Sequence, residues 1–440
     1  MTNRSTGTRR RPSRRPAALL LAAALAAPLL AGCGSADAGA PPILRASAPA
    51  SRPAVDSAQL TATAAATDAF GLDLLHALTA RPDDAGRNLV LSPSGLATVL
   101  AMLLPGARGA TADELAKALH TELTPQQYAL ATGELNRRST SGNGVTLRQS
   151  DDLWAQQGLA VSPDYLATLA AAFDTGVHPT DFAKDPDGSR KAVNAAVEKA
   201  TEGRIKDLFA PNAITPDTRM VLTDALYLKA KWATAFKPSQ TADRPFHKPD
   251  GSTPAVPTMG QSGSFKYADG SGGIVGEPWQ AVELPYADSG LVMDLIVPAQ
   301  GGFAAFGKGL DQPQLDRILG ALTERPVDLR LPRFHFDTSN ELTSALRSLG
   351  VTSVFDRADL GGIAKEPLAV STVVQKATVQ VDEDGTVAAA GSGVGVAAAA
   401  APAADRPVQL HIDRPFLFLI RDTHGGRPLF LGQVTDPQAG

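Results

Sequence analysis

Few residues in this chain are placed to do bond-making chemistry. The seven histidines are scattered and none stands in a His-Glu-x-x-His pair, so a zinc hydrolase has no frame. Gly391-Ser392-Gly393 lacks the outer glycine of a nucleophile elbow, because Ala390 stands there. The same segment fails the dinucleotide pattern at Val396. Asp382, Asp384 and Gly385 imitate the start of a calcium loop, but Gln380 and Gly391 would occupy its first and last ligand positions, two anions short. No metal, no cofactor and no enzymatic activity is therefore expected. What stands out is the stretch from Glu383 to Arg406, which carries no charge between Gly385 and Ala404 and lies between two strand-like runs. Loops beyond roughly 12–15 residues are usually functional or disordered. One reading of this one is a low-complexity Ala/Gly linker; the other is a loop offered to a protein partner.

The elements around it change character along the chain. Phe70, Leu74, Leu75 and Leu78 recur at helical spacing, with Pro82 as a stop. Ser92-Pro93 opens a second helix that Pro105-Gly106 closes, and Thr111 with Glu114 predicts a capping box for a third ending near Leu119. Residues 121–143 read as a polar stretch. Helices are expected at Pro163 to Phe173, Lys191 to Leu208 and Leu342 to Leu349. Strands are expected at Val145–Gln149, Leu153–Gln156, Met220–Leu228, Leu291–Val297, Val327–Leu331, Ala369–Val374, Thr378–Val381, Phe416–Ile420 and Leu429–Val434. Helices first and strands last make an α+β fold with antiparallel or mixed sheets.

The composition is that of a globular protein: 440 residues, 43 % hydrophobic, 20 % charged, net charge −4. The length by itself suggests two or three domains. No basic stripe lies beyond the first fifteen residues, so nucleic acid is not an expected partner. The N-terminus reads as a targeting segment. Arg9, Arg10, Arg11, Arg14 and Arg15 precede an apolar run from Ala17 to Leu30, which ends in Leu30-Ala31-Gly32-Cys33. That pattern looks like a bacterial lipobox, with residues 1–33 as a lipoprotein signal peptide and Cys33, the only cysteine, as the lipidated residue. The alternatives are an ordinary secretory signal or a buried thiol, and Arg14-Arg15 leaves a twin-arginine route open beside the general one. Residues 34–56, rich in Ala, Ser, Pro and Gly, read as a flexible tether to a body at 57–440. The expected location is the outer face of the bacterial cell membrane, held there by the lipid anchor.

A set of motifs then falls into one order. Asn88 to Thr111 (NLVLSPSGLATVLAMLLPGARGAT), Asp224 to Phe236 (DALYLKAKWATAF), AVELPY at 281–286, LPRF at 331–334, LGVTSVF at 349–355, DRPFLFLI at 413–420 and LFLGQVTDP at 429–437 resemble the serpin family in sequence and order, over residues 60–437. The resemblance implies a single α+β domain, the serpin fold, with three β-sheets, eight or nine helices and an exposed reactive-centre loop at about 383–406. It implies a suicide-substrate inhibitor of serine proteases, a monomer whose partner is the target protease in a covalent acyl complex. A non-inhibitory serpin acting as a binding or structural protein at the cell surface is the alternative.

Glu383, Gly385, Thr386, Ala388, Ala389 and Ala390 resemble the hinge of inhibitory members. The residue types suit that role: Gly385 permits a swing, and Thr386, Ala388 and Ala390 are small enough to enter a sheet interior where overpacking costs about 1–3 kcal/mol per site. Counting forward from Glu383 by the family distance of about 16 positions puts the scissile bond at Ala399-Ala400. Counting back from Pro415 lands near Ala404. The forward count is preferred, because the length that inserts is what the mechanism fixes. Alanine bait suits elastase-like or subtilisin-like proteases; Arg406, as bait for a trypsin-like enzyme, lies far along and is followed by Pro407. The resemblance also implies that Ser92, Ser94 and Asn194 lie beneath the sheet where strands part, and that Trp232 packs at its top. This chain departs from the family pattern at Gln375, where many members have histidine, at Asp224 for asparagine, at Ala230 for glycine and at Ala195-Ala196, which lacks a common tryptophan.

Overall fold

In the computed structural model residues 42–47, 51–81, 86–138, 144–270, 278–386 and 406–439 are described. Ten α-helices run among them. They are α1 (Ser57–Thr79), α2 (Pro93–Leu103), α3 (Gly109–Ala118), α4 (Pro125–Arg138), α5 (Pro163–Phe173), α6 (Pro186–Ala200), α7 (Phe303–Gly309), α8 (Gln312–Gly320), α9 (Thr343–Ser348) and α10 (Ser353–Asp356). The strands are β1 (Leu89–Leu91), β2 (Val145–Gln156), β3 (His178–Thr180), β4 (Met220–Lys231), β5 (Ala242–Pro245), β6 (Ala255–Gly270), β7 (Trp279–Pro285), β8 (Leu291–Pro298), β9 (Thr323–Pro332), β10 (Phe334–Glu341), β11 (Thr372–Val381), β12 (Gly385–Thr386), β13 (Val408–His411), β14 (Phe416–Asp422) and β15 (Arg427–Val434).

One six-stranded sheet, in the order β10-β11-β12-β4-β2-β3, carries the features that matter for function. β4 is buried over nearly its whole length because both of its faces are covered. Val221 and Ala225 point outward and pack under Val193 and Val197 of α6. The alternate residues point inward: Met220 and Leu222 meet the core around α2, and Leu226, Leu228 and Ala230 meet the other sheet. β4 and β11 run parallel, with Thr372 to Thr378 in register with Val221 to Tyr227. Past Tyr227 the two strands no longer pair with each other, and the short β12 stands between them, antiparallel to both.

The remaining strands form a continuous nine-stranded sheet, β1-β15-β14-β8-β7-β6-β9-β13, with β5 on β6. Three sheets were expected and two are found among the described residues. The reason is β6, sixteen residues long, which pairs with β5, then β9, then β7, and so joins what would otherwise be separate sheets. Residues from Pro41 onward form one compact unit, so the domain count suggested by length does not hold.

Several local expectations change. Thr111 and Glu114 form no capping box: the helix begins at Gly109, the Thr111 hydroxyl accepts from the Asp359 amide (3.0 Å), and Glu114 accepts from the amides of Thr352 and Ser353 (2.8 and 2.7 Å). The polar stretch 121–143 contains α4, whose buried side is Tyr128, Ala129, Ala131, Thr132 and Leu135 and whose small residues gave a weak apolar signal. The helix expected at Lys191–Leu208 starts five residues earlier, capped by Asp185, and ends at Ala200. The strand pairs read at 145–156 and 369–381 are each one strand, β2 and β11.

The segment 34–56 is not a free tether throughout. Leu44 and Val177 exchange backbone hydrogen bonds (2.8 and 3.0 Å), and Arg52 donates from Nε to the Ala171 carbonyl (2.9 Å) and from Nη2 to Asp174 (2.8 Å). Asp56 caps α1 in a full capping box with Gln59.

Candidate functional site

The upper end of the six-stranded sheet is built around the turn Asp382-Glu383-Asp384. The Asp382 carboxylate accepts from the amides of Asp384 (3.0 Å) and Gly385 (3.3 Å), an Asx turn that reverses the chain after β11. Three backbone carbonyls of the turn are then held from β4 and its continuation. Asp382 O accepts from the Trp232 indole (2.9 Å), Asp384 O from the Trp232 amide (2.9 Å), and Glu383 O from the Phe236 amide (2.9 Å). Trp232 stacks on Tyr286 with ring centroids 4.6 Å apart, which fixes the indole that makes these bonds.

Glu383 turns its side chain into the protein. Burial alone would push its pKa up, but the Arg333 guanidinium and the Thr241 hydroxyl, both bonded to Oε1, more than offset this and hold the carboxyl below its ordinary value. Gly385 then passes so close to β4 that a Cβ would lie 2.0 Å from the Ala230 carbonyl oxygen, at φ +153°, so no other residue fits. Thr386 follows with its side chain buried and its hydroxyl 2.6 Å from that of Tyr286. Gly385 pairs with Lys231, and Thr386 pairs with Ala230 on one side and Val381 on the other. Gly385 and Thr386 thereby stand in the line between β4 and β11. Ala388, Ala389 and Ala390 of the hinge and the bond Ala399-Ala400 lie outside the described residues, as does Cys33.

Halfway down the same seam lies a buried polar cluster. Ser92 caps α2, its hydroxyl accepting from the Gly95 amide (3.0 Å) with Ser94 Oγ 3.4 Å away. Gln375 of β11 clamps the Ser92 backbone, accepting from its amide (2.9 Å) and donating to its carbonyl (2.8 Å). The same Gln375 amide donates to Asp224, its register partner on β4. That bond crosses the seam. Asp224 packs over the start of α2 so tightly that a Cβ on Gly95 would lie 2.2 Å from its carboxylate oxygen. On its other side Asp224 faces Asp151 of β2, whose Oδ1 is buried. Burial pushes the Asp224 carboxyl up to about 6, and burial together with Asp224 pushes Asp151 up well above its ordinary value. Arg427, buried beneath them and lowered to about 10 by burial, supplies the nearby positive charge and donates to Gln149 (2.9 Å).

Asn194 does not belong to this cluster. It lies on α6, across the outer face of the sheet, where its amide group donates to and accepts from the Phe209 backbone (3.0 and 2.9 Å) and pins the segment leading into β4. Ser92 and Asn194 are on opposite faces, which spacing in the sequence could not reveal. Arg333, Thr241, Tyr286 and Asp151 were not singled out from sequence; only Arg333, inside the motif LPRF, and Tyr286, at the end of AVELPY, carried any signal. Among the described residues no group of His, Cys, Asp and Glu could hold a metal ion.

Comparison with known proteins bears on the same region. The family model for serpin (serine protease inhibitor) matches residues 65–437. An uncharacterized serpin-like protein of Thermococcus kodakarensis is 34 % identical over 380 residues, covering 85 % of this chain and 86 % of that one. Plasminogen activator inhibitor 1 of Neovison vison is 33 % identical over 378 residues, covering 84 % and 92 %. The structure of uncleaved ovalbumin superposes with a TM-score of 0.77 at 26 % identity, over 86 % of this chain and all of the other.

Proposed function

We propose that this chain, which belongs to the serpin family, is a suicide-substrate inhibitor of serine proteases that are served by a small residue at the cut. Serpins generally inhibit serine proteases. The observation that carries them is β12, where Gly385 and Thr386 already stand as the first two residues of a strand between β4 and β11.

Continuing the register of those two residues gives the rest of the strand. Each further step down the loop moves one residue back along both β4 and β11. Ser392 then comes opposite Asp224 and Gln375 together, and Val396 comes opposite Met220 at the foot of β4. The inward-facing positions are those in phase with Thr386: Ala388, Ala390, Ser392, Val394 and Val396. None is bulky, and the single hydroxyl among them falls where the Gln375–Asp224 bond must part. A cut at Ala399-Ala400 leaves enough chain to fill the whole seam. The protease attacks the carbonyl of Ala399 and releases the amine of Ala400. The acyl-enzyme is then carried along as the loop becomes a strand, and it is distorted before water can free it.

The exported, lipid-anchored form is part of the same reading. Its support is the basic region, the short apolar run and Leu30-Ala31-Gly32-Cys33; Cys33→Ala should move the protein from the membrane fraction to the medium.

The test is incubation with pancreatic elastase or subtilisin. A complex that survives SDS and boiling, with release of a fragment beginning at Ala400, is expected, and Ala399→Arg should redirect inhibition toward trypsin-like proteases. Clean turnover without a complex would instead favour a non-inhibitory binding or structural serpin.

A further inference from the structure

The seam between β4 and β11 cannot widen without moving whatever is attached to β2 and β3. One extra strand separates its neighbours by about 4.8 Å, so β3 and the turn that leads into it must shift relative to β10, β11 and the helices that pack with them. The turn in question, 174–177, follows α5, and the N-terminal segment is fastened to it.

Three kinds of contact make that attachment. Leu44 adds an antiparallel bridge to Val177, immediately before the edge strand β3, through hydrogen bonds of 2.8 and 3.0 Å. The approach is close enough that a Cβ on Gly176 would lie 1.8 Å from the Leu44 carbonyl oxygen. Arg45 donates to the Asp174 carbonyl (2.6 Å), and Arg52 donates to the Ala171 carbonyl (2.9 Å) and the Asp174 carboxylate (2.8 Å). These bonds satisfy the end of α5, where Asp174 closes the helix at φ +56°. Only three residues later Val55 packs on Leu60, Ala64 and Leu135, and Asp56 caps α1. α1 itself packs on β15 and α9, and α9 packs on β11. α5 already reaches α1 through α4, and the segment adds a second, direct link between the side of the sheet that must move and the side that stays.

We infer that residues 42–47 and 51–55 form a strap that restrains opening of the β4–β11 seam and so slows loop insertion. The inference rests on the proposed insertion mechanism for its consequence, but the restraint itself can be measured without a protease.

Hydrogen exchange of the amides of β4 and β11, compared within one protein, reads the restraint directly. Leu44→Cys with Val177→Cys places two thiols on a hydrogen-bonded antiparallel pair, whose Cα separation of about 5.5 Å suits a disulfide. The full chain should also carry Cys33→Ser, leaving these as the only thiols. The oxidised form should exchange at the seam at least about tenfold more slowly than the reduced form, and should gain thermal stability more slowly after its loop is cut. Arg45→Ala with Arg52→Ala should act in the opposite sense, speeding seam exchange by about tenfold, the scale set by a few hydrogen bonds to charged groups. Equal seam exchange in oxidised and reduced protein would overturn the inference. A redox-dependent seam in a protein that forms no protease complex would keep the strap and overturn the inhibitory reading instead.

Discussion

Thr386→Arg should separate cleavage of the loop from the insertion proposed for it. Thr386 is buried between Val381 and Ala230, and its hydroxyl lies 2.6 Å from that of Tyr286, whose ring stacks on Trp232. An arginine there must either bring its charge into that space, at several kcal/mol, or keep the first pair of the new strand from forming. Overpacking alone costs about 1–3 kcal/mol. Taking about 3 kcal/mol as the added barrier, insertion slows by about a hundredfold. Deacylation does not involve Thr386 and keeps its rate, so most acyl-enzymes hydrolyse before they are trapped. The assay is titration of elastase or subtilisin activity against inhibitor, with cleaved inhibitor measured on a gel. The Arg variant should be cut at the wild-type rate but need many molecules per protease inactivated, whereas Thr386→Val, which loses only the Tyr286 bond worth about 1 kcal/mol, should shift the stoichiometry modestly. An Arg variant that inhibits one-to-one would refute the claim that insertion begins at this residue.

Other perturbations test the supporting contacts. Because Glu383 is held below its ordinary pKa of 4.5, the stability it contributes is complete above that value and is lost as the pH falls through the lower folded value. The difference in urea midpoint between wild type and Glu383→Gln should therefore be present at pH 6 and shrink below pH 4. Arg333→Ala should cost about 1 kcal/mol in the same measurement, since Arg333 is half-exposed and its pair with Glu383 is partly screened. Asp224 shows the reverse sign. Its folded pKa of about 6 lies above the ordinary 3.8, so its charged form costs the native state stability as the pH rises through that range. Asp224→Asn should raise the melting temperature at pH 7.5, with a gain that fades toward pH 4.

The parts of this architecture that were legible in the sequence are those set by short-range patterns. Ser92-Pro93 announced the start of α2, and Pro163 to Phe173 is α5 to the residue, because caps and proline positions act within one turn. The positions of Gly385 and Thr386 were legible because their residue types are restricted by their surroundings: Gly385 by the approach to Ala230, Thr386 by the space beside Tyr286. Contacts made over long separations left no such trace. The Gln375–Asp224 bond joins residues 151 apart, and the Arg333–Glu383 pair joins residues 50 apart. α4 was hidden because its buried face is made of Ala, Thr and Gly with a single Tyr and Leu. The strap was misread for a related reason: an Ala/Ser/Pro-rich segment gives no periodicity, yet two arginines and one backbone bridge suffice to dock it.

On the proposed mechanism the cut loop becomes a strand between β4 and β11. Thermal unfolding of the intact protein and of the same protein cut once near Ala399 tests it most directly. An added strand from Thr386 to Val396 makes backbone bonds on both sides, at about 0.5–1.5 kcal/mol each. Their sum rivals the stability of a whole domain, about 5–15 kcal/mol. The cut protein should melt about 20 °C or more above the intact one. An unchanged or lower melting temperature after the cut would contradict the account.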